Sequence, residues 1–190
     1  RYAGAKGIPV VIMEPLKGGK LAQSIPQDVL ELWAQAPVKR SPVEWAFRWL
    51  CNFPEVTLIL SGVSSMAQLK DNIEIFARME PGGMTEAELA LVEKVRNLYL
   101  SKTKVTCTAC EYCLPCAREV AIPRIFTLYN EAFIFDDRDG AVNGYRELTA
   151  KGKDASRCVA CGACETACPQ SIPVAAMLKA AHRGLTEPTG

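Results

Sequence analysis

Cys158-Val159-Ala160-Cys161-Gly162-Ala163-Cys164-Glu165-Thr166-Ala167-Cys168-Pro169 decides the reading of this chain, together with Cys107-Thr108-Ala109-Cys110-Glu111-Tyr112-Cys113-Leu114-Pro115-Cys116. The first stretch is C-x2-C-x2-C-x3-C followed by proline; the second is C-x2-C-x2-C-x2-C. Three thiolates at two-residue spacing can wrap three irons of one [4Fe–4S] cube. The fourth then points away, and in two-cluster proteins it ligates the other cluster. The expected ligand sets are therefore crossed. Cluster one takes Cys107, Cys110, Cys113 and Cys168; cluster two takes Cys158, Cys161, Cys164 and Cys116. Paired C-x2-C units also make four-cysteine zinc sites. Two zinc ions, however, need neither three tandem cysteines twice nor a trailing Cys-Pro.

Working outward, each cysteine group is followed by an Ile-Pro pair, Ile122-Pro123 and Ile172-Pro173. Each pair opens an apolar helix, expected over about 123–134 and 173–182. The pattern is an internal repeat of metal loop, then helix. Asp136-Asp137-Arg138-Asp139-Gly140 is expected to break the chain, with a helix over about 141–149 after it. The 41-residue spacer between the groups is long for a compact β-type two-cluster ferredoxin and favours a helical arrangement.

Composition narrows the class. Eight of nine cysteines fall within a 62-residue window, dense enough for cysteine chemistry to dictate the fold. An odd cysteine count and the absence of a signal-peptide pattern at Arg1-Tyr2-Ala3-Gly4 argue against a secreted disulfide protein. A reducing, cytoplasmic setting is expected, where clustered cysteines bind metal or do redox chemistry. The 22 basic and 21 acidic residues give a net charge of +1, spread evenly along the chain. That balance predicts neither a nucleic-acid partner nor an anionic-membrane surface. No apolar run of about 18 residues exists to cross a bilayer.

Before the cysteines, the pattern changes. Residues 8–13, Ile-Pro-Val-Val-Ile-Met, and 56–60, Val-Thr-Leu-Ile-Leu, are short continuous apolar runs. Such runs suit parallel strands buried on both faces. Helical spacing appears over 27–35. Ser41-Pro42-Val43-Glu44 and Thr85-Glu86-Ala87-Glu88 are capping boxes that open two further helices. Another helix is expected over about 66–77. The order is α/β. Two strands cannot bury two faces alone, and a (β/α)8 barrel needs about 250 residues. Residues 1–100 are therefore expected to be the last two βα units of a TIM barrel whose other units lie upstream of Arg1. Residues 101–190 are expected to form an all-α two-cluster ferredoxin domain.

Some residues suit ordinary roles. Cys51 fits a small buried hydrophobe. Trp33, Trp45 and Trp49 suit a core, and His182 a solvated helix position. Lys151, Lys153 and Arg157 suit a solvated loop or a dock for an electron partner.

Together these stretches resemble the C-terminal part of an aldo/keto reductase with an appended 4Fe–4S ferredoxin domain, over nearly the whole chain. Met13 to Leu21 resembles the loop after barrel strand seven, and Ser41 to Leu50 the helix that follows. Ser61-Gly62-Val63-Ser64-Ser65-Met66-Ala67-Gln68-Leu69-Lys70-Asp71-Asn72 resembles the strand-eight cofactor loop. The resemblance implies that Gly62, Ser64, Gln68 and Asn72 contact the adenosine phosphate of a dinucleotide, NADP(H). The same residues equally suit a plain strand-to-helix turn capped by Ser65 and Gln68. Met13 departs from the aromatic that stacks on nicotinamide in the family, and Ala117 from the usual proline after the fourth cysteine. The family's catalytic Asp, Tyr, Lys and His belong to earlier strands, so no catalytic residue is expected in this stretch. The implied activity is oxidoreductase chemistry on a small-molecule substrate, with the clusters passing electrons to or from an external carrier. Clusters that merely staple the domain are the alternative.

Overall fold

The computed structural model describes residues 1–187. They divide into two compact units, Arg1–Leu98 and Tyr99–Gly190. The division falls inside one long helix.

The first unit is α/β. Its elements run α1 (Tyr2–Ala5), β1 (Val10–Ile12), α2 (Lys20–Gln23), α3 (Gln27–Trp33), α4 (Pro42–Cys51), β2 (Val56–Ile59), α5 (Met66–Ala77) and the start of α6 (Glu86–Lys102). The strands pair in parallel, Val10 with Val56, Val11 with Leu58 and Ile12 with Ile59. Capping fixes the helix starts. Ser41 accepts from Glu44 N, with Pro42 at the first turn of α4. Thr85 and Glu88 exchange bonds at the start of α6: Glu88 N donates to Thr85 Oγ1 at 3.3 Å, and Thr85 N to Glu88 Oε2 at 2.9 Å. Stacked Trp33 and Trp45, with centroids 4.8 Å apart, pack beside Ala36 and Leu91. The Arg40 guanidinium lies over Trp45 and pairs with Glu88.

Two expectations need correction here. The strands are not buried on both faces: Val11 is 50% and Leu58 52% exposed. A two-stranded sheet among the described residues has too little of its own unit to cover them. Trp49 is not core either. It is 37% exposed because α4 turns Trp45, Phe47 and Leu50 inward and Trp49 outward.

The second unit is helical: α7 (Ile122–Ile134), α8 (Arg138–Ala150), a 3-10 turn (Ala155–Arg157), the short α9 (Ala163–Thr166) and α10 (Val174–Thr186). Its core includes Ile125, Phe126 and Leu128 of α7, Ala141 and Tyr145 of α8, and Leu178, Ala181 and Leu185 of α10. The stretch 136–140 does not break the chain throughout. Asp137 accepts from Gly140 N at 3.1 Å and caps α8, so Arg138 and Gly140 are helical. His182 is also not simply solvated. It is half-buried, with Nδ1 2.7 Å from the Tyr145 hydroxyl.

Close helix approach depends on two glycines. A Cβ on Gly144 would lie 2.7 Å from Leu128 Cδ2, and one on Gly184 2.7 Å from Tyr129 Cε2. A Gly144→Val substitution is expected to destabilise the second unit by about 1–3 kcal/mol through overpacking. Denaturant titration of the wild type and the variant measures the loss. An unchanged midpoint would show that α8 can stand off α7 at no cost.

Candidate metal centres

Left-handed backbone shapes both cysteine loops in the same way. The residue before each second cysteine has positive φ: Ala109 at 54° and Ala160 at 52°. So does the residue after it, Glu111 at 63° and Gly162 at 80°. The residue three beyond each fourth cysteine repeats the pattern, Glu119 at 57° and Ser171 at 51°. Outside glycine this conformation costs about 1–2 kcal/mol per residue. It persists where surrounding structure over-determines it. Here that structure curls each loop so that its thiols face inward.

Two cavities result. One is lined by Cys107, Cys110, Cys113 and Cys168, with Ile122, Phe126, Ile172 and Val174 among its apolar walls. The other is lined by Cys116, Cys158, Cys161 and Cys164, with Val120, Ile122 and Leu178. Each cavity thus takes three cysteines from one motif and the fourth from the other. Ile122 stands in both walls. Six of these cysteines pack against the core, whereas Cys110 and Cys161 are exposed.

The donor chemistry fits iron–sulfur groups. Thiolates are soft ligands that select such clusters or zinc. Among the described residues, no three Cys, His, Asp or Glu groups converge to hold a single ion. The thiols surround a space rather than a point. Ala109 N lies 3.4 Å from Cys107 Sγ and donates to it, the kind of bond that tunes a cluster potential. Burial pushes the Cys107, Cys113 and Cys164 thiols up from their ordinary pKa. Iron must displace their protons, so loading weakens as pH falls.

Residues outside the motifs hold the loops. Asn130 Oδ1 accepts from Lys104 N and Val105 N at 3.0 and 2.9 Å, and its Nδ2 donates to Val105 O at 2.7 Å. This pins the chain just before Cys107. Tyr145 does the same before Cys158: its hydroxyl accepts from Ala155 N at 3.0 Å. The same hydroxyl lies 2.7 Å from His182 Nδ1, and the imidazole tautomer sets which of the two donates. Glu165, between two cysteines, accepts from Ala175 N at 2.9 Å near the start of α10. Spacing alone signals none of these. The only hint is an asparagine inside a helix, a poor helix former that prefers backbone partners.

Burial pushes Tyr145 up to about 12. Its neutral form is therefore favoured by folding. That contribution is full below the unfolded pKa of about 10 and is lost as pH rises toward about 12. Tyr145→Phe is expected to cost roughly 1–3 kcal/mol, because Ala155 N is left without its acceptor. It should also flatten the stability loss above pH about 10. Unfolding curves against pH for both proteins check this, and equal slopes would count against it.

In the first unit, Gly62, Ser64, Gln68 and Asn72 line one open cavity of ≈ 560 Å³ with Met13, Glu14 and Asp71. The loop is also capped within itself. Ser65 Oγ accepts from Gln68 N at 3.2 Å, Gln68 Oε1 accepts from Ser64 N at 2.8 Å, and Asn72 Nδ2 donates to Ser61 Oγ at 3.0 Å. Cys51 is half-buried, and burial raises its pKa.

Residues 106–173 match the family model for a 4Fe-4S dicluster domain, and residues 1–97 match that for the aldo/keto reductase family. No curated protein and no solved structure matches the chain. The thiol-lined cavities and the first match define an iron–sulfur protein of oxidoreductase type. The second match spans just over half the residues, and the chain belongs to the aldo/keto reductase family. Among the described residues, no helix is long and apolar enough to cross a membrane.

Proposed function

We propose that this chain pairs the C-terminal βα units of a (β/α)8 barrel with a helical ferredoxin domain holding two [4Fe–4S] clusters. The clusters relay electrons between the barrel's small-molecule substrate and an external carrier. The observation that carries this reading is the lining of the two cavities by crossed sets of four thiols. Cys107, Cys110, Cys113 and Cys168 hold cluster one; Cys116, Cys158, Cys161 and Cys164 hold cluster two. When bound, each cluster supplies reversible one-electron chemistry. The chain's own residues do the rest. The thiolates anchor, the apolar walls exclude water, and Asn130 and Tyr145 fix the loop entries. Cysteines clustered at metal-ligand spacing suit a reducing cytoplasmic compartment.

The barrel's Asp, Tyr, Lys and His are assigned to strands outside this stretch. NADP(H) is proposed for the open cavity of the first unit, held by Gly62, Ser64, Gln68 and Asn72. The ionised groups lining it are Glu14 and Asp71, and no Lys or Arg joins them. Binding of phosphate there rests on backbone N–H groups at the start of α5.

A purely structural role is the second reading, favoured by the packing of six cysteines against the core. Zinc is the third, and thiols spread around a void disfavour it. Anaerobic redox titration of the purified chain separates these. A brown protein with reversible one-electron steps supports the relay. Iron that stays inert to reductants across about −700 to +450 mV supports the staple. A colourless zinc protein would end both.

A further inference from the structure

Arg118 lines the cavity assigned to cluster two. Two hydrogen bonds draw its segment to residues 151–157, which carry three more cations: Ala121 N donates to Lys153 O at 2.9 Å, and the Arg157 side chain donates through Nε to Arg118 O at 3.4 Å. A Cβ on Gly152 would lie 3.6 Å from Arg157 Nη1, so that guanidinium sits against the turn that carries Lys151 and Lys153. All four side chains are exposed, and none makes an ion pair among the described residues. The nearest acids in sequence do little to offset them. Asp154 is buried with Oδ1 accepting from Ser156 N, and Glu119 and Glu147 point to solvent as two charges against four.

The exposed edge of this cavity suits electron exchange. Cys161 is exposed and Val159, beside it in the cavity wall, is 59% exposed. The other cavity has the opposite character. Glu111 lines it, and no Lys or Arg does. The two cavities therefore differ in the charged residue beside the thiols, Glu111 in one and Arg118 in the other.

We propose that Arg118, Lys151, Lys153 and Arg157 form the docking surface for an acidic one-electron carrier protein, which exchanges electrons with the chain at the Cys161 edge. The proposal rests on the relay reading above. One electron leaves the reduced carrier and one enters the protein; no bond and no proton changes hands, and the reverse transfer uses the same contact. Four exposed charges on two hydrogen-bonded segments, one of them lining the cavity, fit a small protein patch. A nucleic acid would call for a longer basic stripe, and the chain as a whole is only +1.

The test uses the full cluster-loaded chain and an oxidised, acidic plant-type [2Fe–2S] ferredoxin as probe. Calorimetry reads binding without electron flow. Wild-type affinity should fall as salt rises from about 0.01 M to about 1 M, where the screening length drops from about 30 to about 3 Å. Lys151→Gln/Lys153→Gln should weaken low-salt binding roughly tenfold and flatten the salt dependence, within the range known for steered association. Arg118→Gln, made separately, should weaken it in the same direction. Cluster absorbance and reduction by the cationic methyl viologen radical should stay unchanged in Lys151→Gln/Lys153→Gln. Wild-type binding by both variants overturns the proposal. So does charge-dependent binding to duplex DNA or anionic vesicles with no effect on the ferredoxin. Clusters that viologen cannot reduce would sink the relay instead, while leaving the binding result to stand by itself.

Discussion

Cys168→Ser is expected to strip iron from the cavity of Cys107, Cys110 and Cys113 while the cavity of Cys158, Cys161 and Cys164 stays loaded. Cys168 belongs by sequence to the second motif, but it lines the first cavity. A serine hydroxyl does not ionise at neutral pH and replaces a soft thiolate with a hard, neutral oxygen. The loss should be about half the iron and sulfide, since two four-thiolate clusters share the total equally. Cys116→Ser is the mirror experiment and should empty the other cavity. Adding Cys107→Ser to Cys168→Ser should remove no further iron, whereas adding it to Cys116→Ser should remove nearly all. Iron analysis of the two double variants decides the ligand sets. If the pairing by motif were correct instead, the two results would exchange.

The second large effect concerns the whole helical unit. Oxidative removal of iron with a chelator is expected to abolish cooperative unfolding of residues 99–187. Each cavity opens into the packed core, with walls that include Ile122, Phe126, Val174 and Leu178. Deleting one buried leucine side chain costs about 2.7–5 kcal/mol in a well-studied case. Whole-domain stability is about 5–15 kcal/mol. Two thiol sites left without their clusters, both walled by core residues, draw on that margin. The left-handed residues Ala109, Glu111, Glu119, Ala160 and Ser171 add strain once nothing holds the loops. Far-UV and near-UV circular dichroism before and after removal give the measurement. A helical unit that still melts sharply without iron would show that packing alone closes the core.

Some of this was legible in the residue order, for local reasons. Capping depends on side chains three apart, so Ser41 with Glu44 and Thr85 with Glu88 mark helix starts wherever they occur. Strand pairing of 10–12 with 56–59 follows from two apolar runs joined by helices. What escaped depends, apart from the local Asp137 cap, on contacts between distant segments. Asp137 appeared as part of a break because five turn-prone residues stand together, yet its carboxylate caps the helix they begin. His182 appeared solvated among charged neighbours because nothing local announces Tyr145, which meets it from another helix. Asn130 and Tyr145 act on chain segments 25 and 10 residues away. Arg118 joins the 151–157 turn through two hydrogen bonds that no spacing rule contains.

The matched left-handed positions have a consequence for how this unit could arise and be divided. Loop-plus-helix occurs twice with the same bends, and each copy places its last cysteine in the other's cavity. That is the topology of a domain-swapped dimer written into one polypeptide. On the proposed ligand sets, neither copy is a self-sufficient module, because cutting between them leaves each cavity with three of its four thiols. Two separately expressed halves should regain the complete set only by finding each other, and one half alone could do so only by pairing with itself.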